Sequence, residues 1–503
     1  MLGLLLGILV SAMDNTIVAT AMPTIIADLG GLDRFVWVTA AYMVTEMAGM
    51  PIFGKLSDIY GRKRFFMFGL VVFLIGSMLS GTAQNITELI IYRAIQGIGG
   101  GALAPIAFTI IFDVVSPEQR GKIGGLFGAV FGLSSIFGPL LGAYITQYLS
   151  WRWIFYVNLP IGIAAFLFIL LGYRESYIRL QESIDWFGVI TMVPAVGMLM
   201  FALQLGGTSY AWNSPIIIGL FVLAAIFLLA FLWIEARVKE PIITYSMFRN
   251  RLYTGSNLVA LFSSSAYVVA VLFIPLFIQG VMGGNATNSG LILLPMMLAS
   301  VVASQVGAML VMKISYRTVM LASGILFILG IYLLTTITPE TTHMTITMEM
   351  IITGLGIGAS FSVLSMGAMQ SFDASKRASA SSTMNFVREL AMAVGITIYG
   401  TIQKNDFSSQ IQKAFSGVTI PASFLHMDPR AILSPALRAH VPSFIMMKLS
   451  NALAYSISHI FAWTLIPAAL ALVFTFVLTK EKMAAQWGQA KNSSIQIDQL
   501  IDR

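Results

Sequence analysis

Asp14, Glu46, Arg93, Arg388 and Glu389 are ionisable residues set within stretches that are otherwise almost wholly apolar. A charge at the centre of a bilayer costs about 2.5–3.5 kcal/mol on insertion scales, so each needs a bundle interior or a wet cavity around it. Desolvation disfavours the ionised form of a carboxyl, and a nearby cation favours it. A carboxyl in such a cavity can therefore take a proton in one conformation and release it in another, which is the chemistry of a proton-coupled carrier. The same group would attract a lipophilic cation, while Arg93 and Arg388 could equally receive an anion. The sequence neighbours agree with a polar face. Gly3, Gly7, Ser11 and Asp14 share one helical face, and Thr39, Tyr42, Glu46 and Gly49 share another. Interhelical ion pairs are the structural use of the same residues. Arg388 and Glu389, being consecutive, point about 100° apart and are not obvious partners.

The elements that must hold these residues follow from composition. The 503-residue chain is 57% apolar and only 10% charged, with a mean hydropathy of +0.85. Soluble domains carry roughly 25% charged residues, so a bilayer is the solvent that fits. Runs long enough to cross about 30 Å of hydrocarbon occur at 2–22, 36–55, 65–84, 88–111, 123–146, 153–172, 186–205, 215–234, 253–280, 287–312, 318–337, 346–369, 380–402 and 453–479. The expected fold is an all-α integral membrane protein of fourteen spans. Twenty Lys and Arg fall on the side that holds both termini, against two in the short connections of the other side, so both termini are expected in the cytoplasm. The opening apolar run has no basic flank and continues through Asp14, so it reads as the first span and not as a cleaved leader.

The second half weakly repeats the first. Arg120 with Gly121 falls on Arg377 with Ala378, and the same shift lays Gly138 on Gly395. Two six-helix halves about a central pathway are a common plan for secondary transporters. The expected division is an N-terminal bundle at 1–172, an inserted pair of spans with its flanking loops at 173–251, a C-terminal bundle at 252–479 with an outer loop at 403–452, and a cytoplasmic tail at 480–503.

Other chemistries are excluded. The net charge of +7 sits in short clusters between apolar runs and forms no nucleic-acid stripe. There are no cysteines, and the four His residues have no metal-ligand spacing. Walker, zinc-protease and hydrolase-elbow motifs are absent, so neither an ATP-driven pump nor a membrane enzyme is expected, and no cofactor beyond protons as coupling ion.

The run Gly54-Lys-Leu-Ser-Asp58-Ile-Tyr-Gly61-Arg62-Lys-Arg64 resembles the loop 2–3 signature of the major facilitator superfamily. Residues 93–102, with Arg93 and Gln96, resemble that family's helix 4 motif. Gly138-Pro139-Leu-Leu-Gly142-Ala matches most of its helix 5 antiporter motif. Met13-Asp14-Asn-Thr-Ile-Val-Ala-Thr-Ala-Met-Pro23, Trp151-Arg-Trp-Ile-Phe-Tyr-Val-Asn-Leu-Pro160 and Asp185-Trp-Phe-Gly188 are similar to segments of its fourteen-span drug:proton antiporter branch, which includes multidrug exporters of Gram-positive bacteria. The resemblance implies two six-helix bundles plus two extra helices. It makes Asp58, Arg62, Arg64 and Arg120 a cytoplasmic gate with Gly54 and Gly61, and Arg93 a partner in proton transfer. Asp14, with Glu389 or Glu46, would carry the protons.

The function implied is proton-driven efflux of small lipophilic drugs or cations by a monomer in the cell membrane. A dedicated exporter of a metabolite or lipid, a tetracycline- or cation-type antiporter, or a non-transporting membrane receptor are the other readings. The second half departs from the pattern, since its counterpart of the loop 2–3 signature is reduced to Lys313-Ile-Ser-Tyr-Arg317.

Overall fold

The computed structural model describes residues 1–30, 35–115, 117–173, 175, 185–207, 209–283, 286–416 and 443–480, without the side chains at 23, 27, 35, 36, 117, 118, 120–125, 127–129, 131, 132, 135, 136 and 286–291. Its long elements are all helical. They are α1 (Leu2–Leu29), α2 (Phe35–Tyr60), α3 (Arg62–Thr82), α4 (Ile86–Val114), α5 (Pro117–Tyr148), α6 (Trp153–Tyr156), α7 (Asn158–Gly172), α8 (Trp186–Leu205), α9 (Pro215–Glu235), α10 (Arg251–Gly280), α11 (Ala286–Leu310), α12 (Tyr316–Leu334), α13 (His343–Gln370), α14 (Arg377–Ala414) and α15 (Ser443–Phe474). With α6 and α7 counted as one span broken at Val157, fourteen helical spans stand among the described residues, one at each expected position. Eleven are long and apolar enough over their described residues to cross a membrane. The other three are α2, α5 and α14. Two of these carry Glu46 and the Arg388–Glu389 pair, which lower their mean hydropathy.

Local chemistry sets many of the boundaries. Asn85 accepts from the Glu88 amide, and Glu88 returns a bond to the Gln84 amide at 2.9 Å. Asp185, Ser214, Asn250, Ser315 and Thr342 cap α8, α9, α10, α12 and α13 in the same way. Each such cap stabilises its helix by about 1 kcal/mol. Pro160 stands in the first turn of α7, where its missing N–H leaves no bond unmade.

Helices α1–α7 pack around one set of apolar clusters and α10–α15 around another. The inserted pair α8–α9 lies against both halves: Met192, Val196 and Met200 of α8 pack on Val44, Met47 and Ala48 of α2 and on Ala393 of α14. The sequence repeat is a packing repeat. Gly99 of α4 meets Phe73 of α3 where Gly356 of α13 meets Phe327 of α12, and Gly76 meets Gln96 where Gly330 meets Thr353. At these four points a Cβ would run into the facing helix, so small residues set the interhelical distance.

The outer loop expected at 403–452 is shorter than the sequence suggests. Helix α14 runs on to Ala414 and α15 already begins at Ser443. Phe407, Ile411 and Phe415 recur at every fourth position and bury against Leu449 and Leu453, so an amphipathic pair continues past the point where hydropathy falls. Residues 417–442 and the tail beyond 480 lie outside the described residues.

Candidate functional site

Asp14 is fully enclosed in the N-terminal half. One carboxylate oxygen accepts from Gln96 Nε2 at 2.8 Å and Asn158 Nδ2 at 2.9 Å, and the other pairs with Arg93. Arg93 also donates to Gln96 Oε1 at 2.8 Å, and its guanidinium lies 4.2 Å from the Tyr42 ring centroid. A desolvated cation on an aromatic face gains about 2 kcal/mol, and the ring faces a guanidinium whose other two nitrogens make no hydrogen bond among the described residues. Asn158 is placed by the break at Val157 and also donates to Ser77 Oγ at 3.0 Å. The cluster thus joins α1, α3, α4 and α7.

Glu46 is half-buried on the neighbouring face of α2. Its Oε1 accepts from Tyr42 Oη at 3.3 Å and Ser11 Oγ at 3.5 Å. Asn15 hydrogen-bonds it as well, and Glu389 of the other half lies within electrostatic reach. Arg388 is buried, donates to Ser360 O at 2.7 Å and faces the Phe361 ring at 5.5 Å. The α2–α14 seam therefore brings one carboxyl from each half together. Tyr42 connects that pair to Arg93, touching Glu46 with its hydroxyl and Arg93 with its ring.

A second cluster closes one end of the seam. Asp58 accepts from Arg62 Nη2 at 3.3 Å, from the Ala378 amide at 3.1 Å, and from the Ser379 amide and hydroxyl at 2.8 and 2.9 Å. These amides belong to the first turn of α14, and a helix N-terminus is a ready anion site. Asp113, at the end of α4, pairs with both Arg62 and Arg377, the latter at 2.8 Å. Gly54 lies against Ser382 and Ala378, with no room for a Cβ. Gly61 takes φ +105°, and the Glu175 carboxylate rests on it while accepting from the Arg62 and Lys63 amides. Lys55 pairs with Glu240 at 2.9 Å, tying the end of α2 to the segment after α9.

Asp58 and Arg377 lie beyond the expected spans. Burial pushes the Asp58 carboxyl up to about 6, against the opposing pull of Arg62 and the Ser379 and Ala378 donors. Burial also lowers Arg377, opposed by Asp373 and Asp58.

Of the residues expected at the gate, Gly54, Asp58, Gly61 and Arg62 come together. Arg64 does not: it is exposed and makes no ion pair among the described residues, because two positions along α3 turn it about 200° from Arg62. The Arg120 side chain lies outside the described residues. Gly138 and Gly142 let α5 settle on Met13, Thr16 and Ile17 of α1, with Pro139 inside the helix. The sequence reading missed Asp113, Ser379 and Glu175. An acid just past a span, next to basic loops, was the available signal for Asp113, and Arg377 was visible only as half of a repeat.

The family model described as Major Facilitator Superfamily matches residues 4–185 and 182–396. The chain is 50% identical over 486 residues to "Multidrug resistance protein 3" of Bacillus subtilis (strain 168), covering 96% of this chain and 95% of that one. It is 36% identical over 502 residues to "Multidrug transporter protein MdtP" of the same organism, covering 96% and 93%. Among solved structures, the human organic anion transporter MFSD10 superposes with a TM-score of 0.60 at 14% identity, over 95% of this chain and 98% of that one. A double-tryptophan mutant of XylE gives the same score at 15% identity, over 97% and 98%.

Proposed function

We propose that this chain, which belongs to the major facilitator superfamily, exports drug-like molecules across the cell membrane in exchange for protons. The family makes it a multi-pass membrane transporter and not an enzyme. The two Bacillus subtilis relatives are named for multidrug resistance and multidrug transport, which supports a broad substrate range here. The observation that carries proton exchange is the meeting of Glu46 and Glu389 at the seam between halves, linked through Tyr42 to the enclosed Asp14–Arg93 pair. Opposed carboxyls repel when both are ionised, so a proton or a cationic substrate between them stabilises the seam. Competition between the two is the basis of antiport. Asp14 sits behind this pair, where its pairing with Arg93 responds to the charge at Glu46.

The excess of Lys and Arg supports a cytoplasmic position for the Asp58 cluster and both termini. The arrangement described is then the one sealed toward the cytoplasm, from which substrate leaves outward. An inward proton gradient supplies about 2.3 kcal/mol per charge per 100 mV plus about 1.36 kcal/mol per pH unit, with no need of ATP. Charge at the seam favours lipophilic cations over anions, with Arg388 turned to the Ser360 carbonyl and away from solvent. Inverted membrane vesicles energised by a proton gradient should accumulate ethidium and release it when a protonophore is added. Accumulation that persists with the gradient collapsed would contradict proton exchange.

A further inference from the structure

Helix α13 carries one carboxyl that none of the clusters above uses. Glu349 lies six residues, about 9 Å, past the His343 end of the helix. It is only 6% exposed, and its Oε2 makes no hydrogen bond among the described residues. Ile346 and Met350, its neighbours in the same turn, are fully buried in the apolar cluster of the C-terminal half. The helix is held tightly there, with Gly354 against Met296 of α11 and Thr353 against Gly330 of α12.

No charge faces it. Helix α11 contains no charged residue, and α12 contains only Arg317, which is bound to the Phe476 and Leu478 carbonyls at the far end. Arg251 of α10 stands at that same far end. On α14, Arg388 reaches α13 at Ser360, about 16 Å along the helix from Glu349, and Glu389 faces the seam. His343, at its own end of α13, is exposed.

An ionised carboxyl with no partner is the costly form at such a place, and the neutral acid is the form these surroundings accept. The packing register deepens the point. In the N-terminal half, Gln96 stands where Thr353 stands here, and the position matching Arg93 is Met350. The C-terminal half thus lacks the arginine that pairs with Asp14, and holds an unpaired acid one residue away instead. An apolar residue would fill that volume without burying an unsatisfied oxygen.

We propose that Glu349 is a further proton-binding group of the transport cycle, loaded in the cytoplasm-sealed state and unloaded when α13 shifts against α11 and α12. Arg388 couples it to the seam, because that arginine grips the same helix at Ser360. The inference rests on the proton-exchange reading, and the test separates the two. The purified chain in liposomes, with a trapped pH dye, would be given ethidium across an imposed pH gradient. Glu349→Gln, which keeps the shape of the neutral acid, should still bind and move ethidium while moving fewer protons per ethidium than wild type. Glu349→Asp should restore the count. Wild type that moves protons together with a Glu349→Gln variant of unchanged count overturns this inference alone, whereas wild type that moves none takes the antiport reading down with it. Should the Gln variant not fold, infrared difference spectra of wild type and Glu349→Asp decide: a protonated-carboxyl band that changes on ethidium addition and differs in frequency between the two supports the assignment, and a band identical in both contradicts it.

Discussion

Asp14 illustrates how a single residue can be legible in its type and not in its setting. Its position in an apolar run, on a face with Ser11 and glycines, marked it as functional. The structure then encloses it behind Tyr42, with Arg93, Gln96 and Asn158 as partners from two other helices. No spacing in one sequence could state that. Breaking this pairing leaves a buried charge unmatched, which typically costs about 3–5 kcal/mol. Arg93→Gln should therefore lower thermal stability in detergent as well as coupled efflux, with Asp14 left stranded. The milder Arg93→Lys keeps the charge but not the planar contact with the Tyr42 ring, and should retain more stability than transport. A fully active Arg93→Gln protein of wild-type melting temperature would show that the pair carries neither role. Glu349 is the converse case. It was overlooked because it falls near the end of its span, and only its unpartnered oxygen in the folded chain distinguishes it.

At the level of elements, the contacts that matter join the N-terminus of α14 to the end of α2. Asp58 accepts two amides of α14, so its charge is matched to a helix end and not to a side chain alone. Burial holds its carboxyl at about 6 in the sealed gate, against about 3.9 for a hydrated aspartate. If this cluster is the proposed gate, its sealed state would bind a proton on Asp58 more tightly than an opened one. Acidifying the cytoplasmic face through about pH 6 should shift the population toward sealing, an effect that vanishes in Asp58→Asn. Spin labels placed on the ends of α2 and α14 would read this as a distance; separation that grows on acidification has the wrong sign for the account. The glycines of α5 act at the same scale. Gly138→Val would press a side chain onto Thr16 and the Met13 carbonyl, and overpacking of this kind costs about 1–3 kcal/mol. A lower melting temperature is expected even where the loop charges are intact. The loop 2–3 signature exposed half of this cluster in the sequence. Asp113, Ser379 and Glu175 come from three other segments; the Ser379 contact and the Asp113–Arg377 pair exist only once the halves meet, and Glu175 only once its segment folds back on Gly61.

For the whole molecule, the length of the apolar runs located every span among the described residues to within a few positions at most ends, because a bilayer forces backbone bonds to close within helices. The clear failure was at 403–452, where α14 and α15 outrun the hydrocarbon and stay helical by packing on each other. Hydropathy registers the solvent and not the partner helix. The packing repeat of the two halves and the lopsided distribution of charge between them belong together. One half keeps an enclosed ion pair, the other an unpaired acid, and the seam between holds a carboxyl from each. Under the proposed proton exchange, that asymmetry would give protons a different site on either side of the pathway.

The proposed drug:proton antiport stands or falls with the N-terminal cluster. The most direct measurement places the purified chain in liposomes with a trapped pH dye and follows proton movement on adding ethidium, for wild type and Asp14→Asn. Ethidium-dependent proton flux is expected in wild type, with its loss, by at least about tenfold, in a variant that still inserts and still binds ethidium, since a mispaired Arg93 costs more than about 1.4 kcal/mol. Undiminished proton flux in Asp14→Asn would contradict it.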